Sequence, residues 1–313
     1  MHRITLFSLI TATALLSACA SQPKGMDKIR ADADRAALTT PSSGASLIKT
    51  TQQLATEAQQ QETLRFAPVL TEEAGNALND ATRAKQRGKA DDEIRTKALL
   101  AQATYRRALE HTAIARETLA PSLAHLDILN EVGSPEYYPS DYQQVTDDLN
   151  GIIRTLERTG EPASSSQTQR QLLEGMHDLE VKTVGFKQLQ DIRNTLASLQ
   201  EENAEELIPQ SFAVARQALA AAEDLIATTP RATGEIATLR EQALNSAAHA
   251  TVVMTMVNEI LKATPETAES LVLRTERWLY NISTALKFPD IRHLPMDEQS
   301  RQLADGVEEL LQR

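Results

Sequence analysis

Cysteine is nearly absent from this chain, because Cys19 is the only one among 313 residues. A disulfide framework and a Cys-rich metal domain are therefore excluded. Glycine is also scarce, with 11 residues, and aromatic side chains make up only 4% of the sequence. Alanine, leucine, glutamine, glutamate and arginine are abundant instead, and these residues favour helices over sheets. The composition predicts an all-α chain.

A positive charge excess is missing as well. Lys and Arg number 32 against 43 Asp and Glu, which gives a formal net charge of −11. No long basic run offsets this balance, so electrostatic attraction to nucleic acid or to anionic lipid head groups is not expected. We predict no nucleic-acid partner.

Motifs for nucleophiles, metals and phosphates are absent too, including Gly-x-Ser-x-Gly, His-Glu-x-x-His and the phosphate-binding loops. Five histidines follow the N-terminal segment, and none has a second histidine three or four residues away, so each is interpreted as a surface or helix-packing residue. These are His111, His125, His177, His249 and His293. The sequence predicts no catalytic, cofactor or metal site and no enzyme. An enzyme whose carboxylates meet only in three dimensions is the alternative.

The N-terminus has the pattern of a secretory signal peptide. Residues 1–3 include a positive charge, and residues 4–16 form an uncharged apolar run. A helix that crosses a bilayer needs roughly 20 apolar residues, which is more than this run supplies. Export is therefore favoured over a permanent membrane span.

The tetrad Leu16-Ser17-Ala18-Cys19 resembles the lipobox of bacterial lipoproteins. The resemblance is confined to residues 1–19. It implies cleavage after residue 18 and a thioether-linked diacylglycerol on Cys19, which would hold the chain at a membrane. Ala20 and Ser21 follow where an Asp would imply retention in the inner membrane. The resemblance therefore implies the outer membrane, with the chain facing the periplasm, and the outer leaflet of the inner membrane is the alternative. A buried, unmodified Cys19 behind an ordinary signal peptide is the competing interpretation.

The segment after Cys19 is predicted to be a tether. Residues 19–46 are polar and include Thr39-Thr40-Pro41-Ser42-Ser43-Gly44, which buries too little apolar area to order itself. A short helix over residues 27–38 is compatible with this interpretation.

An internal repeat with a period of about 70 residues fills the centre of the chain. Pro68, Pro139 and Pro209 follow one another at a nearly constant spacing. Apolar or bulky residues follow each proline at identical offsets with steps of 3 and 4, which is the pattern of an amphipathic helix that packs on other helices. The three sets are Thr71, Ala74, Leu78, Ala81 and Lys85; Tyr142, Val145, Leu149, Ile152 and Leu156; Phe212, Ala215, Leu219, Ala222 and Ile226.

Each repeat is predicted to pair a short helix of about 20 residues with a long helix of about 30–40 residues. Breakers end the short helices near Gly88, Gly160 and Pro230, and Pro121 is expected to kink or split the first long helix. The units lie near 68–138, 139–208 and 209–264, within a helical domain of residues 47–288 that has partial units at both ends. Overlapping hairpins would give an elongated bundle or rod, and a compact α-solenoid is the alternative.

Three other features are candidates for ion or partner contacts. Glu201, Glu202, Glu205 and Glu206 form an acidic cluster, interpreted as a solvated helix start rather than a Ca²⁺ site. Tyr137, Tyr138 and Tyr142 surround Pro139 and are expected to pack between units. Trp278 is expected to cap the end of the array, with partner docking as the alternative. Residues 289–313 are predicted to contain an amphipathic helix.

The combined prediction is a lipid-anchored periplasmic scaffold or adaptor that acts through protein contacts with an envelope partner. It loosely resembles the Ala-rich helical lipoproteins of Gram-negative envelopes. A regulator of a cell-wall synthase or hydrolase is the second hypothesis.

Overall fold

The protein is all-α, as its composition predicts. A computed structural model describes residues 23–312, and within this range it contains fourteen α-helices, one short 3-10 helix and no strand. The described chain divides into two compact units, residues up to Thr183 and residues from Val184 onward. The boundary falls inside the longest helix rather than between two sequence repeats.

Nine helices begin in the first unit, and the ninth extends into the second. Their bounds are α1 (Met26–Thr39), α2 (Gly44–Gln60), α3 (Thr63–Phe66), α4 (Pro68–Gln86), α5 (Asp91–Thr118), α6 (Ala120–Val132), α7 (Ser134–Tyr137), α8 (Pro139–Thr159) and α9 (Ser166–Glu201). A 3-10 turn, Pro162–Ser165, precedes α9. The second unit adds α10 (Ala204–Leu207), α11 (Pro209–Thr228), α12 (Thr233–Leu261), α13 (Pro265–Ala285) and α14 (Met296–Leu311).

The predicted short helices begin at the three repeat prolines, because proline lacks the N–H that a first helical turn leaves unbonded. They also end at the predicted breakers: α8, for example, stops at Gly160, whose φ of 69° lies in the left-handed region. Pro121 splits the first long helix into α5 and α6, as expected from its missing N–H.

A junction in which the chain turns precedes each repeat proline. No pattern in the sequence predicted it. A residue with left-handed backbone comes first: Glu62 (φ 53°), Gly133 (φ 91°) or Asn203 (φ 63°). A four-residue helix follows, namely α3, α7 or α10, and then one residue with φ near −140° leads into the proline helix. The junctions recur at the same spacing as the prolines, which supports the repeat.

Small buried residues hold the junctions against the long helices. The first residue of each four-residue helix, Thr63, Ser134 or Ala204, is fully buried. In the central junction the hydroxyls of Ser134 and Thr183 share a hydrogen bond of 2.9 Å. Thr183 thereby connects α9 to α7, so a buried polar pair fixes how the junction meets the long helix.

In the first unit a long helix is covered first by its own proline helix and then by the next one. Ala81 of α4 and Ala98 of α5 lie in one buried cluster. Further along, Leu129 of α6 shares a core with Leu149 and Ile152 of α8. Small alanines permit close approach at the first contact, whereas leucine and isoleucine fill the second.

In the second unit the end of α9 meets the next proline helix, and α12 meets its own. The α9 side chains Ile192 and Leu196 are buried, and the Arg193 Nε atom donates to the Glu223 carboxylate of α11 at 2.8 Å. α11 in turn packs against the first part of α12. On α12 the covered positions are Ala243, Ala247, Ala250 and Met254.

A buried carboxylate from another helix caps the N-terminus of α4. Glu157 of α8 is 1% exposed and accepts hydrogen bonds from the backbone N–H of Leu70 at 2.7 Å and of Val69 at 3.2 Å. The first N–H groups of a helix have no partner within the helix, and the positive end of the helix dipole favours a negative group. Burial nevertheless raises the pKa of Glu157, because desolvation outweighs the two hydrogen bonds that lower it.

The structure contains the short helix that was considered within the predicted tether, and it corrects how flexible this segment is. Helix α1 covers half of residues 19–46, and its Met26, Ala33 and Ala37 are buried within unit 1. Lys24 is also held, by an ion pair with Glu161 at 2.9 Å. Three apolar contacts at helical spacing order this segment even though it is polar overall.

Candidate functional site

The predicted lipidation site lies outside the part of the chain that the structure describes. Cys19 precedes residue 23, so its modification stays a prediction from the sequence. Met26 is the first buried side chain of a helix after it. The seven intervening residue steps span at most about 25 Å when fully extended. An anchor on Cys19 would therefore keep unit 1 close to the membrane surface.

Two of the five histidines are buried in unit 1. The His111 side chain of α5 is 3% exposed, and burial lowers its pKa, with the nearby Arg107 charge as the second cause. The His125 Nε2 atom lies 2.8 Å from a carboxylate oxygen of Glu180, whose side chain is fully buried. In residues 23–312 no three His, Cys, Asp or Glu residues come together in a cluster suited to a metal ion.

The acidic cluster is solvent-exposed, as the sequence analysis interpreted it. Glu201, Glu202, Glu205 and Glu206 are all exposed around α10. Glu205 forms an ion pair with Arg216 at 3.0 Å. The cluster thus surrounds a helix start and belongs to the junction before Pro209.

Grooves open beside two junctions. The larger, of about 740 Å³, includes Ala58 and Tyr105 in its lining, and the other, of about 420 Å³, includes Phe212. Each has one carboxylate at its edge, and each carboxylate is engaged by an arginine: Glu62 by Arg116 at 2.9 Å and Glu205 by Arg216. In both grooves, an ion pair lies at the edge and small or aromatic side chains form part of the lining.

Two of the three tyrosines around Pro139 pack at the junction as predicted, because Tyr138 and Tyr142 lie against the core of unit 1, whereas Tyr137 is 38% exposed. The Tyr142 hydroxyl donates to the Asn130 side chain at 2.8 Å, which links α8 to α6. The Lys182 Nζ atom lies 4.2 Å from the centre of the Tyr138 ring, and it also contacts Asp141 at 2.6 Å. These contacts connect α7 and α8 to α9 within unit 1.

Helix α12 presents an uncovered apolar surface along its second part. Val252, Met256 and Ile260 are 57%, 38% and 61% exposed. We call these three residues the α12 stripe. Successive residues of an α-helix are rotated by about 100°, so Val252 and Met256 lie on the side of the helix opposite Ala250, and Ile260 lies about 80° from Ala250 at the edge of the stripe. Val252 and Met256 therefore face away from the buried alanines of α12.

Helix α13 presents a second uncovered apolar surface. Leu271, Thr275, Trp278 and Ile282 follow one another at steps of 4, 3 and 4 and share one face, which we call the α13 face. Trp278 is 48% exposed, and Ser283 is the only fully buried residue of this helix. The expectation that Trp278 caps the array is wrong, because α13 packs on α14 near Ser283 and leaves the tryptophan in solvent.

Contiguous exposed apolar surface on a folded domain marks an interaction site more often than isolated exposed side chains do. The α12 stripe and the α13 face belong to consecutive helices of unit 2, and together they contain the only tryptophan of the chain. Trp278 was a candidate from the sequence. The α12 stripe was missed, because Ile260 continues the heptad pattern of the buried residues and only packing distinguishes the two sides of the helix.

Among residues 23–312 no helix combines the length and the apolar content that crossing a membrane requires. Comparisons with protein families, with curated proteins and with solved structures find no match for this chain.

Proposed function

We propose that the protein is a membrane-anchored helical scaffold that acts through protein contacts at its C-terminal helices. The observation that carries this proposal is the exposure of the α12 stripe and the α13 face. Fully burying a large apolar side chain is worth about 1.5–3 kcal/mol. Trp278, Ile282 and the α12 stripe, which are 38–61% exposed, forgo part of that free energy, which docking recovers. Tryptophan is the residue type most enriched where binding energy concentrates.

The sequence supplies the location in this proposal. A diacylglycerol on Cys19 would hold the chain at the outer membrane, in the periplasm, and two or more acyl chains anchor far more firmly than one. The buried contacts of Met26 and α1 then support a short attachment rather than a long reach. The outer leaflet of the inner membrane remains the alternative location.

Site-specific photo-crosslinking in the native envelope tests the protein-contact proposal. A benzophenone amino acid replaces Trp278 or Met256 in the full chain, and Leu273 is the matched control. Leu273 is 49% exposed on α13 but lies about 160° from Thr275 around the helix. We expect discrete protein adducts from positions 256 and 278 and none from 273. Absence of adducts at both 256 and 278 would overturn the proposal.

A further inference from the structure

Helix α13 has the side-chain pattern of a repeat proline helix but lacks its packing. It begins at Pro265 and has 21 residues, against 19, 21 and 20 for α4, α8 and α11. In those three helices the side chains 6 and 13 positions after the proline are at most 7% exposed: Ala74 and Ala81, Val145 and Ile152, Ala215 and Ala222. The corresponding residues of α13 are Leu271, which is half-buried, and Trp278, which is 48% exposed. Within one chain α13 meets α12 through the Glu259–Arg274 ion pair, but its contact face is left largely exposed at Trp278.

Helix α12 lacks the complementary cover. In both earlier repeats the second part of the long helix is buried by the next proline helix, as Ile192 and Leu196 show on α9. Four positions on the second part of α9 are buried: Leu189, Ile192, Leu196 and Leu199. Counted back from the helix C-terminus, they correspond to His249, Val252, Met256 and Glu259 of α12, and the central two belong to the exposed stripe. By the rule of the repeat, the next proline helix, α13, is the element that fits there.

The connection between the two helices explains why their apolar surfaces do not meet. Seven residues, 202–208, join α9 to α11 and contain α10, and six residues, 133–138, join α6 to α8 and contain α7. Only residues 262–264 join α12 to α13. They lack the four-residue helix, and Lys262 has φ −94° in place of the left-handed residue. The device that turns a proline helix back onto the preceding long helix is missing.

We propose that two copies of the chain exchange these helices, so that the α13 face of each copy packs on the α12 stripe of the other. This proposal rests on the protein-contact function above and names the partner as a second copy. A short connection that lacks the turning device favours exchange between chains over packing within one chain. The exchange is reciprocal and closes with two-fold symmetry, so it covers both apolar surfaces in both copies.

The charges beside the two surfaces are compatible with exchange but do not favour it. Glu259 borders the α12 stripe and Arg274 borders the α13 face, and within one chain these two side chains form an ion pair at 2.5 Å. Exchange replaces this pair within one chain by the same pair between the two copies, so both charges stay paired while the apolar surfaces meet.

The oligomeric state of the full chain in detergent, corrected for bound detergent, is the first test. Because Trp278 is the single tryptophan, its emission reports directly on the α13 face. We expect a dimer whose emission shifts to shorter wavelength as protein concentration rises from about 0.1 to 100 μM. Trp278→Glu or Met256→Glu should raise the dimer Kd at least about 30-fold, and Leu273→Glu should leave it unchanged. Far-UV circular dichroism verifies that all variants keep their helices.

Lengthening the connection is the second test, and it distinguishes exchange from ordinary dimerisation. Residues 262–264 are replaced by the junction sequence of residues 133–138, which restores the turn. We expect a monomer in which Trp278 emits at short wavelength at every concentration, because α13 now reaches its own α12. A monomeric unmodified chain, or a dimer that persists with the long connection, would overturn the exchange.

The photo-crosslinking result separates the two proposals. An adduct of twice the chain mass at positions 256 and 278 supports the exchange. An adduct with a different protein only, and none with a second copy, overturns the exchange and leaves the scaffold proposal standing. No adduct at all overturns both.

Discussion

The buried carboxylate of Glu157 gives the sharpest test of the packing between repeats. Glu157→Ala removes the acceptor for two backbone N–H groups, those of Val69 and Leu70, at a site that is 1% exposed. Each buried donor left without a partner costs about 1–3 kcal/mol. Removing a carboxylate whose pKa is raised by burial offsets part of that cost, because the desolvation penalty is also removed. We expect a net loss of roughly 2–3 kcal/mol in the free energy of unfolding.

Two measurements report this loss. A domain of this size should lose about 2–4 °C in Tm per kcal/mol, so the variant should melt about 4–12 °C lower. Backbone hydrogen exchange across the start of α4, followed by mass spectrometry, should accelerate about 30- to 150-fold if local opening follows the same free energy. Glu157→Gln keeps one acceptor and should fall between the wild type and the alanine variant.

Glu131→Ala is the matched control, since Glu131 is exposed near the end of α6. It should change stability by less than about 0.5 kcal/mol. If Glu157→Ala is as mild as this control and exchange at α4 is unchanged, then the carboxylate does not join α8 to α4. The account of how consecutive repeats connect would then be wrong.

Two further predictions follow from backbone geometry and from burial. Gly160→Ala should destabilise the fold by about 1 kcal/mol, because the φ of 69° at Gly160 is unfavourable for a residue with a Cβ atom. Gly175→Ala, where the added Cβ atom lies in open space inside α9, should instead stabilise it by about 0.5–1 kcal/mol. Equal changes in the free energy of urea unfolding for the two variants would contradict this contrast. The pKa of His111 is lowered by burial, so the unfolded chain binds the proton more readily and the folded chain loses stability as pH falls below about 6.5. Relative to His111→Leu, the wild type should lose up to about 1.4 kcal/mol per pH unit in that window, and parallel stability curves for the two proteins would refute this cause.

Local chemistry made the helix boundaries predictable. Each repeat proline begins a helix because of its missing N–H, and Pro121 splits α5 from α6 for the same reason. The junction helices were not predictable in this way, because two of the three left-handed residues are Glu62 and Asn203 rather than glycine. Only the recurrence of the whole junction at the repeat spacing, seen in three dimensions, identifies it.

Features that depend on contacts between distant segments escaped the sequence analysis. Glu157 has the helical spacing of an ordinary surface glutamate, and its burial arises because α4 begins directly above it. Trp278 was expected to cap the array because terminal repeats must close an open apolar end. Its exposure follows from the short connection before α13, and a heptad pattern contains no information about the length of a turn.

The mass of the mature N-terminus tests the membrane-anchored scaffold most directly. The full chain is expressed in a Gram-negative host, and its membrane fraction is digested and examined by mass spectrometry. We predict a first residue of Cys19 that carries the mass of a diacylglycerol, and a Cys19→Ala chain that carries none. A free thiol at Cys19, or a chain that retains residues 1–18, would contradict the anchor and with it the proposed place of action.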